Sequence, residues 1–461
     1  MNNLNEKCGV FGIYAPEMEV ARLTYFGLFA LQHRGQESSG IAVSDGKNIF
    51  CHKDQGLVSA IFTEEIISGL KGHIAIGHNR YSTSKGAGSE HVQPVWNTDN
   101  TLALAHNGNL PSTVLLEKFL NEKDIVTLDF SDSRMMAEAI GWHKKEGNSL
   151  FEAVQLAYPL FTGAFSFLVM TEDSIVAGRD SKGMRPLSIG LLENNFIFSS
   201  ETCALSTIGA THFRDVLPGE IVLVDKSGLQ SKQIMEGDQK LDIFEFIYFS
   251  RHDSSLLGKS VYEVRKNLGK TLAKEYTIEA DIVIGVPETS IPVAMGYSEH
   301  SGIKYEMGLN KNRYIQRTFI QPDQKQRDKS VRMKLSAMPG IIQGKRVIVI
   351  DDSIVRGTTS KAIVELLFDS GASEVHFLVS SPPIIFPDFY GIDTPKQSDL
   401  FAFNKSVESM REYLGATSLY FITLEGLLDS TDLAHDLFNT SCFTGIYPIE
   451  LYERKSEFAS R

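Results

Sequence analysis

The sequence predicts two domains of different class in tandem: an α+β half built on antiparallel sheets, then an α/β half built on a parallel sheet. Two observations carry this. Short apolar segments broken by Gly, Asn, Ser and Thr fill the first half, as in Gly9-Val10-Phe11-Gly12-Ile13-Tyr14, Ile74-Ala75-Ile76-Gly77 and Thr101-Leu102-Ala103-Leu104-Ala105, which is the spacing of antiparallel strands. Beyond the polar stretch Met235-Glu236-Gly237-Asp238-Gln239-Lys240, the best linker candidate, strand and helix patterns alternate instead, which implies parallel strands with right-handed crossovers.

In the first half, helical patterns run from Leu115 to Leu120 and from Ser133 to Trp142. In the second, Asp281–Val286, Val347–Ile350 and Val375–Ser380 read as buried strands, because parallel strands covered on both faces are continuously apolar. A chain of 461 residues has room for two or three such cores. With 42% hydrophobic and 22% charged residues it reads as an ordinary globular protein. A formal net charge of −12 argues against nucleic-acid binding and requires locally concentrated cations for any anionic substrate. No apolar run approaches the roughly 20 residues of a membrane span, and Met1–Lys7 lacks the apolar core of a secretory signal. The four cysteines, Cys8, Cys51, Cys203 and Cys442, form no CxxC pair and suggest neither disulfides nor a zinc site. The expectation is a cytoplasmic enzyme with no nucleic-acid or membrane partner.

The most informative string is Val347-Ile348-Val349-Ile350-Asp351-Asp352-Ser353-Ile354-Val355-Arg356-Gly357-Thr358-Thr359-Ser360. An apolar strand empties into two carboxylates, then a loop of Gly and hydroxyl residues, then a helical pattern from Lys361 to Asp369. Backbone N–H groups at such a helix start suit a phosphate. The carboxylate pair suits ribose hydroxyls, or a Mg²⁺ held partly by them. The string resembles the 5-phosphoribosyl-1-pyrophosphate (PRPP) loop of type I phosphoribosyltransferases. That resemblance implies PRPP contacts at Asp351, Asp352, Ser353, Arg356, Gly357, Thr358 and Thr359. Val286-Pro287-Glu288-Thr289-Ser290 also follows a strand directly, and ligands of open α/β sheets bind at the carboxyl ends of strands. The resemblance implies that Ser290, Asp351 and Asp352 surround the Mg²⁺ accompanying PRPP. Between these elements, residues 311–334 hold eight Lys/Arg against two Asp. The expectation there is a lid over the pyrophosphate, with Lys311 and Arg317 contacting PRPP.

In the first half, Cys8-Gly9-Val10-Phe11-Gly12 taken alone reads as a buried structural cysteine. Three further clusters change this: His33-Arg34-Gly35-Gln36-Glu37, Gly77-His78-Asn79-Arg80-Tyr81-Ser82-Thr83 and Ala105-His106-Asn107-Gly108-Asn109-Leu110. Together they resemble the glutaminase domain of N-terminal-nucleophile amidotransferases. The resemblance implies removal of residues 1–7, a Cys8 thiolate nucleophile and a proton relay through the new α-amine, whose pKa near 7.7–8.0 suits that role. It further implies an oxyanion hole from the Asn107 amide and the Gly108 N–H. Arg80 would grip the α-carboxylate of glutamine and Asp132 its α-ammonium. Arg34 and Gly35 are expected to support the site. The family usually carries an acid where this chain has Arg134, which puts the electrostatics beside Asp132 in question.

Both halves, with Tyr248-Phe249-Ser250-Arg251 and Phe389-Tyr390-Gly391-Ile392-Asp393, resemble the amidophosphoribosyltransferase family across nearly the whole chain. The implied fold is an αββα N-terminal-nucleophile hydrolase domain (8–236) followed by a type I phosphoribosyltransferase α/β domain (241–461). The implied reaction hydrolyses glutamine and uses the ammonia to convert PRPP to 5-phosphoribosylamine and pyrophosphate, the first committed step of purine synthesis. The resemblance also implies purine nucleotides as feedback inhibitors and a homotetramer. Some relatives carry an iron–sulfur cluster. The matching places here are read as Asp242, Asp388, Asp436 and Asn439, none a thiol, so no cluster is expected and Cys442 is read as structural. The rival reading is a non-catalytic PRPP-sensing regulator, which would have no use for Cys8, Arg80, Asn107, Gly108 and Asp132.

Overall fold

The computed structural model describes residues 8–80, 92–312, 334–392, 394 and 396–458. Among the described residues, the first half contains thirteen strands: β1 (Gly9–Tyr14), β2 (Ser38–Ser44), β3 (Ile49–Gln55), β4 (Ile74–Arg80), β5 (Val95–Trp96), β6 (Ala103–Ser112), β7 (Thr162–Met170), β8 (Ile175–Arg179), β9 (Ser188–Leu192), β10 (Asn195–Ser199), β11 (Thr211–Asp215), β12 (Glu220–Asp225) and β13 (Gly228–Gln233). They form an antiparallel sheet in the order β11-β9-β10-β1-β4-β2-β3 and a second in the order β13-β12-β8-β7-β6-β5.

Alternation along the strands decides what each face meets. Val10, Ile74, Ile76, Ala103, Ala105, Leu168 and Met170 pack between the sheets. Phe11, Ile13, Ile41 and Val43 face the other way, onto the helix Val20–Ala30. Phe165, Phe167 and Val169 face the helices Asp132–Lys145 and Leu150–Ala157. The layers are therefore helix, sheet, sheet, helix, as predicted.

In the second half, β14 (Ile282–Gly285), β15 (Arg346–Asp351), β16 (Glu374–Val379) and β17 (Ser418–Phe421) form a parallel sheet in chain order. One face, with Val283, Ile348, Ile350 and Leu378, packs on the helices Val261–Glu275 and Ile291–Ser301. The other, with Ile284, Val347, Val349 and Phe377, packs on Thr358–Asp369 and Val407–Leu414. The sequence reading found three of these strands and missed β17. Leu419-Tyr420-Phe421-Ile422 is a short apolar run, but only alternate residues of that edge strand are buried.

The two halves share a core. Ala164 and Met184 from the first pack with Phe389, Tyr390 and Leu451 from the second.

Candidate functional site

Cys8 immediately precedes β1, whose partners in the sheet are β4 and β10. β4 ends at Arg80, so the strand pairing that sets Gly9 opposite Asn79 brings the end of β4 beside the cysteine. The Cys8 carbonyl accepts from Arg34 Nε–H at 3.1 Å. The facing sheet contributes Asn107 and Gly108 on β6. His78 Nε2–H donates to the His106 carbonyl at 3.0 Å and ties β4 to β6. Burial pushes the His78 pKa down to about 3, aided by Arg80, so the ring is a neutral donor and adds no charge between the strands.

Two features of β6 suit an oxyanion. Asn107 Nδ2 is buried and has no hydrogen-bond partner in the protein, an arrangement that is costly unless something else satisfies it. Gly108 has φ +147°, and a Cβ there would come within 2.0 Å of the Ala164 carbonyl oxygen. The β6–β7 register holds through Gly108 and Asn109 and breaks between Asn109 and Ser112.

Asp132 opens the helix Asp132–Lys145 beside the same strand. Its Oδ2 accepts from Leu110 N–H at 3.3 Å and lies 3.7 Å from His106 Nδ1, and its side chain is 22% exposed. Arg134, the departure from the family pattern, is occupied elsewhere. It donates to Glu138 Oε1 at 2.8 Å and to Thr98 Oγ1 at 3.1 Å. Its charge is met by Glu138, and the carboxylate of Asp132 keeps its own partners. Residues 81–91 lie outside the described residues, including the Tyr81-Ser82-Thr83 end of the Arg80 motif.

The second site forms at the carboxyl ends of β14 and β15. Asp351 and Asp352 are each 4% exposed. Thr289 Oγ1 donates to Asp352 Oδ2 at 2.5 Å and Ser353 Oγ to Asp352 Oδ1 at 2.7 Å. This joins the two loops predicted to face each other. Burial, then the charge of Asp352, pushes the Asp351 pKa up to about 8. Ser290 Oγ is fully buried without a hydrogen-bond partner in the protein. Gly357 caps the helix Thr358–Asp369, with Arg356 exposed and Thr358 and Thr359 half-buried at its start. Two crowded carboxylates and a stranded hydroxyl fit a hard cation with oxygen ligands. No group of three or more His, Cys, Asp or Glu converges among the described residues, so such an ion would draw its remaining ligands from water and substrate phosphate. Lys311 ends the strand Leu309–Lys311, which pairs antiparallel with Leu335–Ala337. Arg317 and most of the 311–334 segment lie outside the described residues.

A family model described as a glutamine amidotransferase domain matches residues 78–207, and one described as a phosphoribosyl transferase domain matches residues 255–381. The amidophosphoribosyltransferase of Bacillus subtilis (strain 168) is 46% identical over 462 residues, spanning 98% of this chain and 96% of that one. The chain belongs to the amidophosphoribosyltransferase family. The amidophosphoribosyltransferase of Methanocaldococcus jannaschii is 42% identical, covering 96% of this chain and 98% of its own. The solved B. subtilis glutamine PRPP amidotransferase, complexed with ADP and GMP, superposes with a TM-score of 0.89 at 46% identity, covering 97% of this chain and 98% of that one.

Of the four residues read against a cluster, Asp242, Asp388 and Asn439 are buried. Asp436 is exposed, with its carbonyl taken by Lys240 Nζ at 2.6 Å. The short strand Leu241–Asp242 pairs with Phe438–Asn439. The thiol that joins Asp242 and Asp388 in the interior is Cys442, its pKa pushed well up by burial and then by those two carboxylates. Chain spacing cannot tell which residue around a two-residue strand turns inward. A set of one neutral thiol, two carboxylates and an amide lacks the thiolates an iron–sulfur cluster requires.

Arg185 serves this interior instead. Its Nη1 is 3.5 Å from Asp242 Oδ2 and 3.6 Å from Glu245 Oε1. Arg34 donates to Glu245 at 2.8 and 3.0 Å and to Glu201 at 2.6 Å. Two buried guanidiniums thus face four buried carboxylates, and the surplus charge falls on Asp242 and Asp388. Burial pushes the Asp242 pKa up to about 7, and Asp388 is raised too, by burial. An acid raised in the folded state holds its proton more tightly than in the unfolded chain. Stability from this pair is therefore full below about pH 4 and falls as pH rises to about 7. Asp388→Asn keeps an oxygen for the Tyr390 and Ile392 N–H groups and removes one charge. Thermal unfolding should show this variant above wild type at about pH 8, with the gap closing toward about pH 5.

The sequence reading gave Arg34 a supporting role but missed Glu201, Glu245, Arg185 and Thr289. Acids set among apolar neighbours, as in Phe244-Glu245-Phe246, were the available signal.

Proposed function

We propose that this chain forms 5-phosphoribosylamine from PRPP and glutamine, releasing glutamate and pyrophosphate, as the first step of purine biosynthesis. The observation that carries the reading is the family match that spans both halves of one chain. We take residues 8–236 as the glutaminase domain and 241–461 as the phosphoribosyltransferase domain.

In the first step Arg80 and Asp132 hold the α-carboxylate and α-ammonium of glutamine. The Cys8 thiolate adds to the side-chain carbonyl, and its α-amine, exposed by loss of residues 1–7, carries the proton to the departing ammonia. Asn107 Nδ2–H and Gly108 N–H receive the developing oxyanion. Water then releases glutamate. In the second step the backbone and hydroxyls of residues 353–359 hold the phosphate, and Asp351 and Asp352 face the ribose and its ion. Ser290, Asp351 and Asp352 would hold Mg²⁺, which when bound neutralises the departing pyrophosphate. The remaining work is positioning and exclusion of water around an oxocarbenium-like ribose.

Purine nucleotides as regulators follow from the family and from the B. subtilis structure with ADP and GMP. A homotetramer and a cytoplasmic location belong to the same reading. No helix among the described residues is long and apolar enough to cross a membrane.

The test is stoichiometry. With glutamine, PRPP and Mg²⁺, glutamate and pyrophosphate should appear together in equal amounts. PRPP binding with no pyrophosphate released would favour the sensor reading instead.

A further inference from the structure

The segment from Ser380 to Ile392 touches both sites. At its start, Ser380 N–H donates to the Asp351 carbonyl at 2.9 Å. At its far end it lies on β6. Asn109 Nδ2–H donates to the Phe389 carbonyl at 2.8 Å, and Arg185 Nη2–H to the Tyr390 carbonyl at 3.1 Å. Gly391, with φ +112°, comes so close to the oxyanion residue that an added Cβ would stand 3.4 Å from Gly108 Cα.

This end of the segment is stiff. Asp388 Oδ1 accepts from Tyr390 N–H and Ile392 N–H, both at 2.8 Å. Tyr390 Oη–H donates to the Ile449 carbonyl at 2.6 Å. β6, by contrast, is leaving its ladder: Asn109 pairs with Ala164, and the register then slips before Ser112. The backbone carrying Gly108 N–H is therefore set on one side by β7 and on the other by the loop 389–391.

Resting on the function proposed above, we infer that Asn109 is a positioning residue. Its amide binds the oxyanion strand to the phosphoribosyl-domain loop, so that the state of the second site sets the direction of Gly108 N–H. Asn109 touches neither the thiol nor the reacting carbonyl in this role. Removing it should alter the rate of glutamine hydrolysis but leave glutamine binding to Arg80 and Asp132.

The experiment compares wild type, Asn109→Ala and Asn109→Asp in the full chain. Glutaminase kcat and KM are measured with and without saturating PRPP, alongside phosphoribosylamine synthesis from free ammonia. Couplings between sites are commonly about 5- to 150-fold. Wild type should show PRPP stimulation of that order, and both variants a ratio near one through kcat, with glutamine KM and ammonia-dependent synthesis unchanged. Stimulation retained in both variants would overturn the role. So would wild-type glutaminase indifferent to PRPP, or loss of ammonia-dependent synthesis in both variants, since the second site lies outside the tie. Wild type that makes no phosphoribosylamine from ammonia would instead overturn the function on which the role rests.

Discussion

Cys8→Ala abolishes glutamine-dependent phosphoribosylamine formation and leaves the ammonia-dependent reaction intact. Loss of a hydrolase nucleophile costs on the order of 10⁶ in kcat, whereas the parallel-sheet site has no use for the thiol. The check is a paired assay, with glutamine as donor and with ammonium salt at alkaline pH, on protein whose intact mass shows whether it starts at residue 8. Loss of both activities in folded Cys8→Ala protein would refute the separation of the two sites.

Asp352→Asn should lower both activities together, by about 10²- to 10³-fold. Asp352 accepts from Thr289 Oγ1 and Ser353 Oγ with its two oxygens. An amide must turn an NH₂ toward one of those donors, and the site loses a charge facing the ion that accompanies PRPP. Losing one preorganised electrostatic contact of this kind costs about 2.7–4 kcal/mol, or about 10²- to 10³-fold in rate, which sets the expected factor. Steady-state rates with both donors and a direct PRPP titration are the measurements. Unchanged PRPP affinity and ammonia-dependent turnover would remove the acidic pair from the site.

Asp352 could be read from a local pattern, because Val347–Asp352 announces a buried strand ending in acids. Cys8 alone reads as structural and draws attention only beside the clusters around Arg34, Arg80 and Asn107. What escaped the sequence was whatever depends on partners far along the chain. Arg34 meets Glu201 and Glu245 across 167 and 211 positions, and Asn109 meets Phe389 across 280. No periodicity encodes such pairs. Arg134 is the opposite case: Glu138 lies four residues on in the same helix, a pairing that helical spacing offers, and that contact answers the question its identity raised about Asp132.

The Arg34 pairing bears on whether the enzyme can be cut into working pieces. A fragment ending at the linker would keep Cys8, Arg80 and Asn107, and by inventory would be a free-standing glutaminase. It would also lose Glu245 from a guanidinium that holds the Cys8 carbonyl and is itself fully buried. Half of that ion's counter-charge would be gone, and Ala164 and Met184 would face water where Phe389 and Tyr390 had covered them. The two activities should be separable by point substitution but not by scissors: Cys8 is anchored, through one arginine, to a carboxylate beyond the linker.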